Sequence, residues 1–225
     1  FGLGVDGALG GIIFSTLVIL IFTFFVIRPS LRKNNFSFSG SKKNLLFEYA
    51  IPVLLANIAF ALMTQADMVL VKHFFSEQDA GIYAAASVLG KAVLYLPGAF
   101  AIALFPMVAE NHALGKSSIN LFLQAIGLTA FLSLIGSLFF YFLADHIILL
   151  SYGTDYKEAS SILKYFGFAV LPMSLIMVAE YFLIAMGRVL FAYLFIVVAP
   201  LQLITIYYNH NTMLSIVFIM FMSGA

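Results

Sequence analysis

An all-α, polytopic transmembrane helix bundle is the fold class this sequence predicts, and three observations predict it. Apolar residues fill 63% of the 225 positions and charged residues 9%, against roughly 45–50% and about 25% in ordinary soluble domains. The apolar residues gather in six stretches, each long enough, or nearly so, for the about 20 residues a bilayer crossing takes. Basic residues favour one set of the intervening loops, the asymmetry that orients membrane proteins. A chain of this size has no means of hiding so much apolar surface in water, and no soluble domain is expected. The net charge of +1 gives no argument for a nucleic-acid partner, and the lack of cysteine excludes disulfides, thiolate metal sites and cysteine nucleophiles.

The spans follow in order. Span one covers 8–27, span two 45–71, span three 81–107, span four 119–143, span five 160–186 and span six 190–208, and a seventh begins near Thr212. Span one is not a signal peptide: no basic residue precedes it, while Arg28, Arg32 and Lys33 follow it. The chain starts at Phe1 and stops at Ala225 within an apolar run, and we expect it to be a piece of a longer protein.

The loops set the topology. Loop 28–44 carries Arg28, Arg32, Lys33, Lys42 and Lys43 without an acid, and Lys116 and Arg188 fall on the same side. The opposite side mixes Lys72, Lys157 and Lys164 with Glu77, Asp79, Asp155 and Glu158. Loops 28–44, 109–118 and 187–189 are therefore expected in the cytoplasm, and 72–80, 144–159 and 209–211 outside. The sequon Asn35-Phe36-Ser37 then stays unglycosylated. The Ser, Asn, Gly and Lys content of 28–44 is that of a solvated connector. The organisation expected is the last span of an N-terminal bundle over 1–27, a basic cytoplasmic linker over 28–44 and an incomplete C-terminal bundle over 45–225. Within 144–159, Ile147–Leu150 is apolar, Tyr152-Gly153 breaks the chain, and Asp155 with Glu158 marks a capped helix start. A short interfacial segment is expected there.

Three candidate signals carry little. Gly2-Leu3-Gly4-Val5-Asp6-Gly7 fits GxGxxG, but a dinucleotide site needs a preceding strand and a βαβ unit. Here a membrane helix follows, and Gly7 and Gly11 read as places for close helix packing. Histidines 73, 112, 146 and 210 lie in or beside different loops, without i,i+4 spacing or a completing acid, so no metal site is expected. Prolines 52, 97, 106, 172 and 200 remove backbone hydrogen bonds within or at the ends of spans, which suits transporters and plain bundles alike.

Ionisable residues inside spans say more, since each costs at least about 2.5–3.5 kcal/mol facing lipid. Asp67 lies near the outer end of span two, Lys91 in the outer half of span three, and Glu180 in span five. At about 100° per residue, Asn57 and Thr64 share a face flanked by Gln65 and Asp67. Ser87, Lys91, Tyr95 and Gly98 share another face on span three. Polar stripes of this kind turn into the bundle or a wet cavity, because lipid offers them no partner. Two readings stay open: the stripes line a substrate path in which the Lys91 charge suits a phosphate, or Asp67 and Lys91 pair to fix two helices. Glu180 is open in the same way, since it can reach toward Arg188 or water by snorkelling.

Several stretches together resemble one family. They are Gln65-Ala66-Asp67-Met68-Val69-Leu70-Val71-Lys72, Asp79-Ala80-Gly81-Ile82-Tyr83-Ala84-Ala85-Ala86, Leu89-Gly90-Lys91, Leu96-Pro97 and Leu104-Phe105-Pro106. Tyr152-Gly153-Thr154-Asp155-Tyr156 and Tyr181-Phe182-Leu183-Ile184-Ala185-Met186-Gly187-Arg188 follow, and Gly4-Val5-Asp6-Gly7-Ala8 looks like the entry to a first bundle's last span. In order and spacing they resemble polysaccharide biosynthesis or export proteins, which flip lipid-linked oligosaccharides of the O-antigen type and share a superfamily with multidrug extruders. The resemblance implies two bundles of six helices around a central cavity, in the plasma (inner) membrane, with most of the first bundle absent here.

It also implies alternating access for a polyprenyl-pyrophosphate sugar, without covalent chemistry or a cofactor. Lys91, Asn57, Thr64, Gln65, Asp67, Ser87 and Tyr95 then line the path, and Asp67 or Glu180 is the coupling acid if a proton or sodium gradient drives the cycle. The partners implied are the bilayer, the lipid-linked oligosaccharide and other polysaccharide-assembly membrane proteins. The rivals are a cation-coupled multidrug exporter of the same superfamily, a membrane glycosyltransferase or polymerase, for which no poised acid pair is found, and a structural subunit.

Overall fold

A computed structural model describes residues 4–33 and 46–225. They are predominantly helical, without a strand among the described residues, and the chain is an all-α polytopic membrane bundle. It divides into two units, 1–45 and 46–225.

The first unit holds helix α1, Gly4–Lys33. It begins as helix where the glycine motif would need a strand-to-helix turn, and it continues past residue 27 through Arg28, Arg32 and Lys33. Gly2, the linker beyond Lys33, Lys42, Lys43 and the Asn35 sequon lie outside the described residues.

The second unit opens with a π-helical turn, Leu46–Ala50, running into α2, Ile51–Phe74. Helix α3 spans Glu77–Gly90 and α4 Ala92–Ala113. Ser76 caps α3 by accepting from the Asp79 N–H while its hydroxyl donates to the Asp79 carboxylate at 2.6 Å. Then come α5, Ile119–Tyr152, α6, Ala159–Ala185, α7, Phe191–Tyr208, and α8, Met213–Gly224. Five segments are long and apolar enough to cross a membrane: Phe47–Phe74, Glu77–Ala113, Ile119–Tyr152, Ala159–Ala185 and Phe191–Tyr208. These match spans two to six.

Two expectations for 144–159 need correction. Helix α5 runs unbroken to Tyr152 because Ala144 and Ile148 are fully buried in the core, which holds that stretch helical. The interfacial segment shrinks to a 3-10 turn at Thr154–Tyr156 after Gly153, whose φ of +84° ends α5. Glu158 stands at the position before α6 but makes no side-chain cap bond, and Asp155 lies in the 3-10 turn.

Helix α6 is the hub. It packs against α3, α4, α5 and α8, while α7 lies chiefly along α2. Small residues permit the closest approaches, as expected where helices associate in lipid by packing. A Cβ on Gly167 of α6 would stand 2.9 Å from the Ser137 Cα of α5, and one on Gly90 would stand 2.8 Å from the Phe166 Cβ. Nearby, the hydroxyls of Ser133 and Ser174 join α5 to α6 at 2.8 Å. The outward faces are apolar, with Phe142 73% and Leu150 90% exposed, a surface suited to lipid.

Candidate functional site

The polar cluster forms where a one-residue turn interrupts the third span. Its two halves, α3 and α4, meet at Lys91, where the Leu94 N–H donates to the Lys91 carbonyl three residues back. The break falls at Lys91 rather than at Pro97 or Pro106, which lie inside α4.

Lys91 points inward. Its Nζ donates to Asp67 Oδ1 of α2 at 2.9 Å and reaches Gln65 Oε1 at 3.4 Å. Both charged side chains are almost wholly buried, at 4% and 0% exposure. The Tyr83 hydroxyl donates to Asp67 Oδ2 at 2.9 Å, and Ser87 Oγ lies 3.4 Å from the same oxygen. The Phe166 ring stands edge-on to Tyr83 and lies 5.9 Å from Lys91 Nζ, within the about 6 Å at which a ring face attracts a cation. Each charge therefore has an opposite charge and further polar or π contacts, the condition under which a buried pair is tolerated.

The predicted path residues divide. Thr64, Asp67, Ser87 and Lys91 are buried, whereas Asn57, Gln65 and Tyr95 are exposed. Thr64 donates to the Phe60 carbonyl at 2.9 Å and Asn57 to the Val53 carbonyl at 2.8 Å, so each serves its own helix. The polar arc of α2 thus straddles the bundle edge, with Asp67 inside, Gln65 outside and Lys91 reaching from one to the other. Tyr95 departs from the face predicted for it. Ser87, Lys91 and Gly98 are buried while Tyr95 is 63% exposed. At about 100° per residue Tyr95 stands at the margin of that face, about 80° from Ser87, whereas Gly98 stands about 20° from it.

Glu180 is apart from this cluster. It is 4% exposed on α6, and its Oε1 has no hydrogen-bond partner among the described residues. Of the alternatives open for Glu180, a salt bridge to Arg188 is not formed among the described residues, and Arg188 itself is exposed.

Two polar residues escaped the sequence reading. Tyr83 was legible, because Tyr83, Ser87 and Lys91 recur every four residues on one helical face. Gln202 of α7 was not, since nothing in its own span marks its partner. It is buried and donates to the Met63 carbonyl of α2 at 2.9 Å, tying the two helices together.

Comparison with known proteins identifies a family. Residues 1–161 match the family model described as polysaccharide biosynthesis protein. A protein of the Lsg locus of Haemophilus influenzae (strain ATCC 51907 / DSM 11121 / KW20 / Rd) is 30% identical over 101 residues, which is 44% of this chain and 25% of that protein. The matched stretch thus spans about a quarter of the relative's length. No solved structure matches the chain. With most of its length matched by the family model, on a bundle of membrane-spanning helices, the chain belongs to the polysaccharide biosynthesis protein family.

Proposed function

We propose that this protein belongs to a flippase that moves a lipid-linked oligosaccharide across the plasma membrane by alternating access, without making or breaking a covalent bond. The observation that carries the reading is Lys91, a buried cation at a helix break, with Nζ 3.4 Å from the exposed Gln65. A sugar pyrophosphate is anionic and polar, and its passage through hydrocarbon is opposed by several kcal/mol per unpaired group. A lysine directly behind a hydrogen-bonding face lowers that barrier. Asn57, Gln65 and Tyr95 offer the sugar amide and phenol groups at the surface, while Asp67 holds Lys91 from behind with Ser87 on the same carboxylate, and Thr64 bonds the carbonyls of its own helix.

The basic edge carrying Lys116 and Arg188 is the cytoplasmic side in this reading, and the sugar is delivered to other membrane proteins of polysaccharide assembly. Of the two coupling candidates, Glu180 suits the role better than Asp67. The Asp67 carboxylate already holds Lys91, Tyr83 and Ser87, whereas Glu180 Oε1 has no hydrogen-bond partner among the described residues and suits a proton or cation. The same feature favours a second reading, a cation-coupled exporter of the same superfamily.

The test reconstitutes the full-length protein in vesicles with a fluorescent polyprenyl-pyrophosphate oligosaccharide and follows leaflet exchange. Wild type is compared with the Lys91→Gln/Asp67→Asn double variant, which removes both charges together. Fast exchange in wild type that the double variant loses supports the reading. Exchange that survives in the double variant makes the pair a helix tie only. A folded wild type that moves an organic cation and not the lipid-linked sugar replaces the flippase by the exporter.

A further inference from the structure

The geometry points to a phosphate-binding pocket at the edge of the bundle remote from the Asp67–Lys91 cluster, and we propose that it holds the phosphate group of an anionic ligand. A cavity of about 240 Å³ lies there, lined by His112, Lys116, Ser117, Ser118, Phe182 and Arg188 among others.

Two helix ends of the same design deliver the cations. Helix α4 closes with Gly115 at φ +68°, its N–H donating to the His112 carbonyl at 3.1 Å, and the Lys116 N–H donates to the Asn111 carbonyl at 2.8 Å. Helix α6 closes with Gly187 at φ +69°, its N–H donating to the Ile184 carbonyl at 2.9 Å, and the Arg188 N–H donates to the Leu183 carbonyl at 2.9 Å. Both are glycine-terminated Schellman caps, which satisfy the last helical carbonyls from the backbone. Those carbonyls therefore make no demand on the Lys116 and Arg188 side chains. Neither cation forms a salt bridge among the described residues, and Glu110 does not line the pocket.

The third wall is the N-terminus of α5, a helix of 34 residues. The N–H groups of a helix's first turn and its dipole make such an end favourable for an anion, and here the Ile119 N–H already reaches Ser117 Oγ at 3.4 Å. Ser118 stands at its cap position but makes no side-chain cap bond. It is 8% exposed, and its hydroxyl has no partner among the described residues. A buried hydroxyl left without a partner costs free energy, and an oxyanion in this pocket accepts from it. Lysine, arginine, a serine hydroxyl and helix N–H groups together form the donor set of a phosphate site. A phospholipid headgroup and a free phosphate present the same oxyanion.

The test uses the purified chain in nanodiscs of neutral phosphatidylcholine, alone or with phosphatidylglycerol, and measures lipid retention by native mass spectrometry. Thermal unfolding is followed in parallel against inorganic phosphate. Lys116→Gln/Arg188→Gln, both exposed positions, is expected to retain phosphatidylglycerol roughly 30-fold more weakly than wild type. Ser118→Ala, which removes only the orphan hydroxyl, is expected to weaken retention about 10-fold. Lys72→Ala, outside the pocket, is the control and keeps wild-type retention. Preference for phosphatidylglycerol without a response to inorganic phosphate assigns the site to a headgroup. Stabilisation of wild type by inorganic phosphate, lost in the double variant, assigns it to a free phosphate. Equal retention and equal stabilisation in wild type and both folded variants overturn the proposal.

Discussion

Lys91 Nζ and Asp67 Oδ1 stand 2.9 Å apart although 24 positions separate them in the chain, and the contact closes α2 onto the break between α3 and α4. The bond matters to stability through what its loss leaves behind. A buried charge without its counter-charge costs about 3–5 kcal/mol, whereas replacing both together is often neutral. Lys91→Gln and Asp67→Asn are each expected to destabilise the folded protein by about that amount. Lys91→Gln/Asp67→Asn is expected to recover most of the loss. Thermal unfolding in mild detergent measures all three, and a double variant as weak as the sum of the singles would overturn the account.

Tyr83 is expected to contribute less. Tyr83→Phe removes one donor to a carboxylate that keeps Lys91, so the cost is about 1.5–3 kcal/mol, typical of hydrogen bonds to charged groups. A double-mutant cycle with Asp67→Asn measures the coupling. Coupling near zero would show that the 2.9 Å contact contributes nothing.

Close packing gives a sharper contrast between two glycines. Gly167→Ala pushes a methyl onto the Ser137 backbone of α5 and is expected to cost about 1–3 kcal/mol by overpacking. Gly127→Ala, with nothing within 4 Å of the added carbon, is expected to be neutral or slightly stabilising through helix propensity, by up to about 1 kcal/mol. Unfolding midpoints of the two variants on the same day in the same detergent provide the comparison. A Gly167→Ala protein as stable as wild type would contradict the α5–α6 geometry.

The Ser133–Ser174 link tests how much a hydroxyl pair is worth in this bundle. The two alanine variants and their combination are expected to show a coupling of about 0.6 kcal/mol, the average for side-chain hydrogen bonds inside a membrane protein. A coupling several times larger would mean that the pair is a main tie between α5 and α6.

Glu180→Gln is expected to fold as well as wild type, because it removes a buried charge that has no salt-bridge partner among the described residues. In the vesicle assay, lipid movement by the full-length protein is then expected to stop responding to an imposed proton or sodium gradient. An unchanged gradient response would remove Glu180 from the coupling role.

The sequence by itself determined the bundle and the position of its spans. Apolar runs of membrane-crossing length leave the backbone no alternative to helix, since hydrocarbon satisfies no free N–H or carbonyl group. It also named Asp67, Lys91 and Glu180 as the costly residues, because the expense of a charge in a span depends on its position along the chain. Only the tertiary structure decided their partners. Whether Asp67 meets Lys91 depends on how α2 rotates against α3, and hydropathy carries no information on rotation. The packing of the third span left Tyr95 outside, the burial of Ala144 and Ile148 carried α5 to Tyr152, and the approach of α4, α5 and α6 gathered Lys116, Ser118 and Arg188. Each outcome rests on contacts between residues distant in the chain, which packing between helices fixes and local sequence does not.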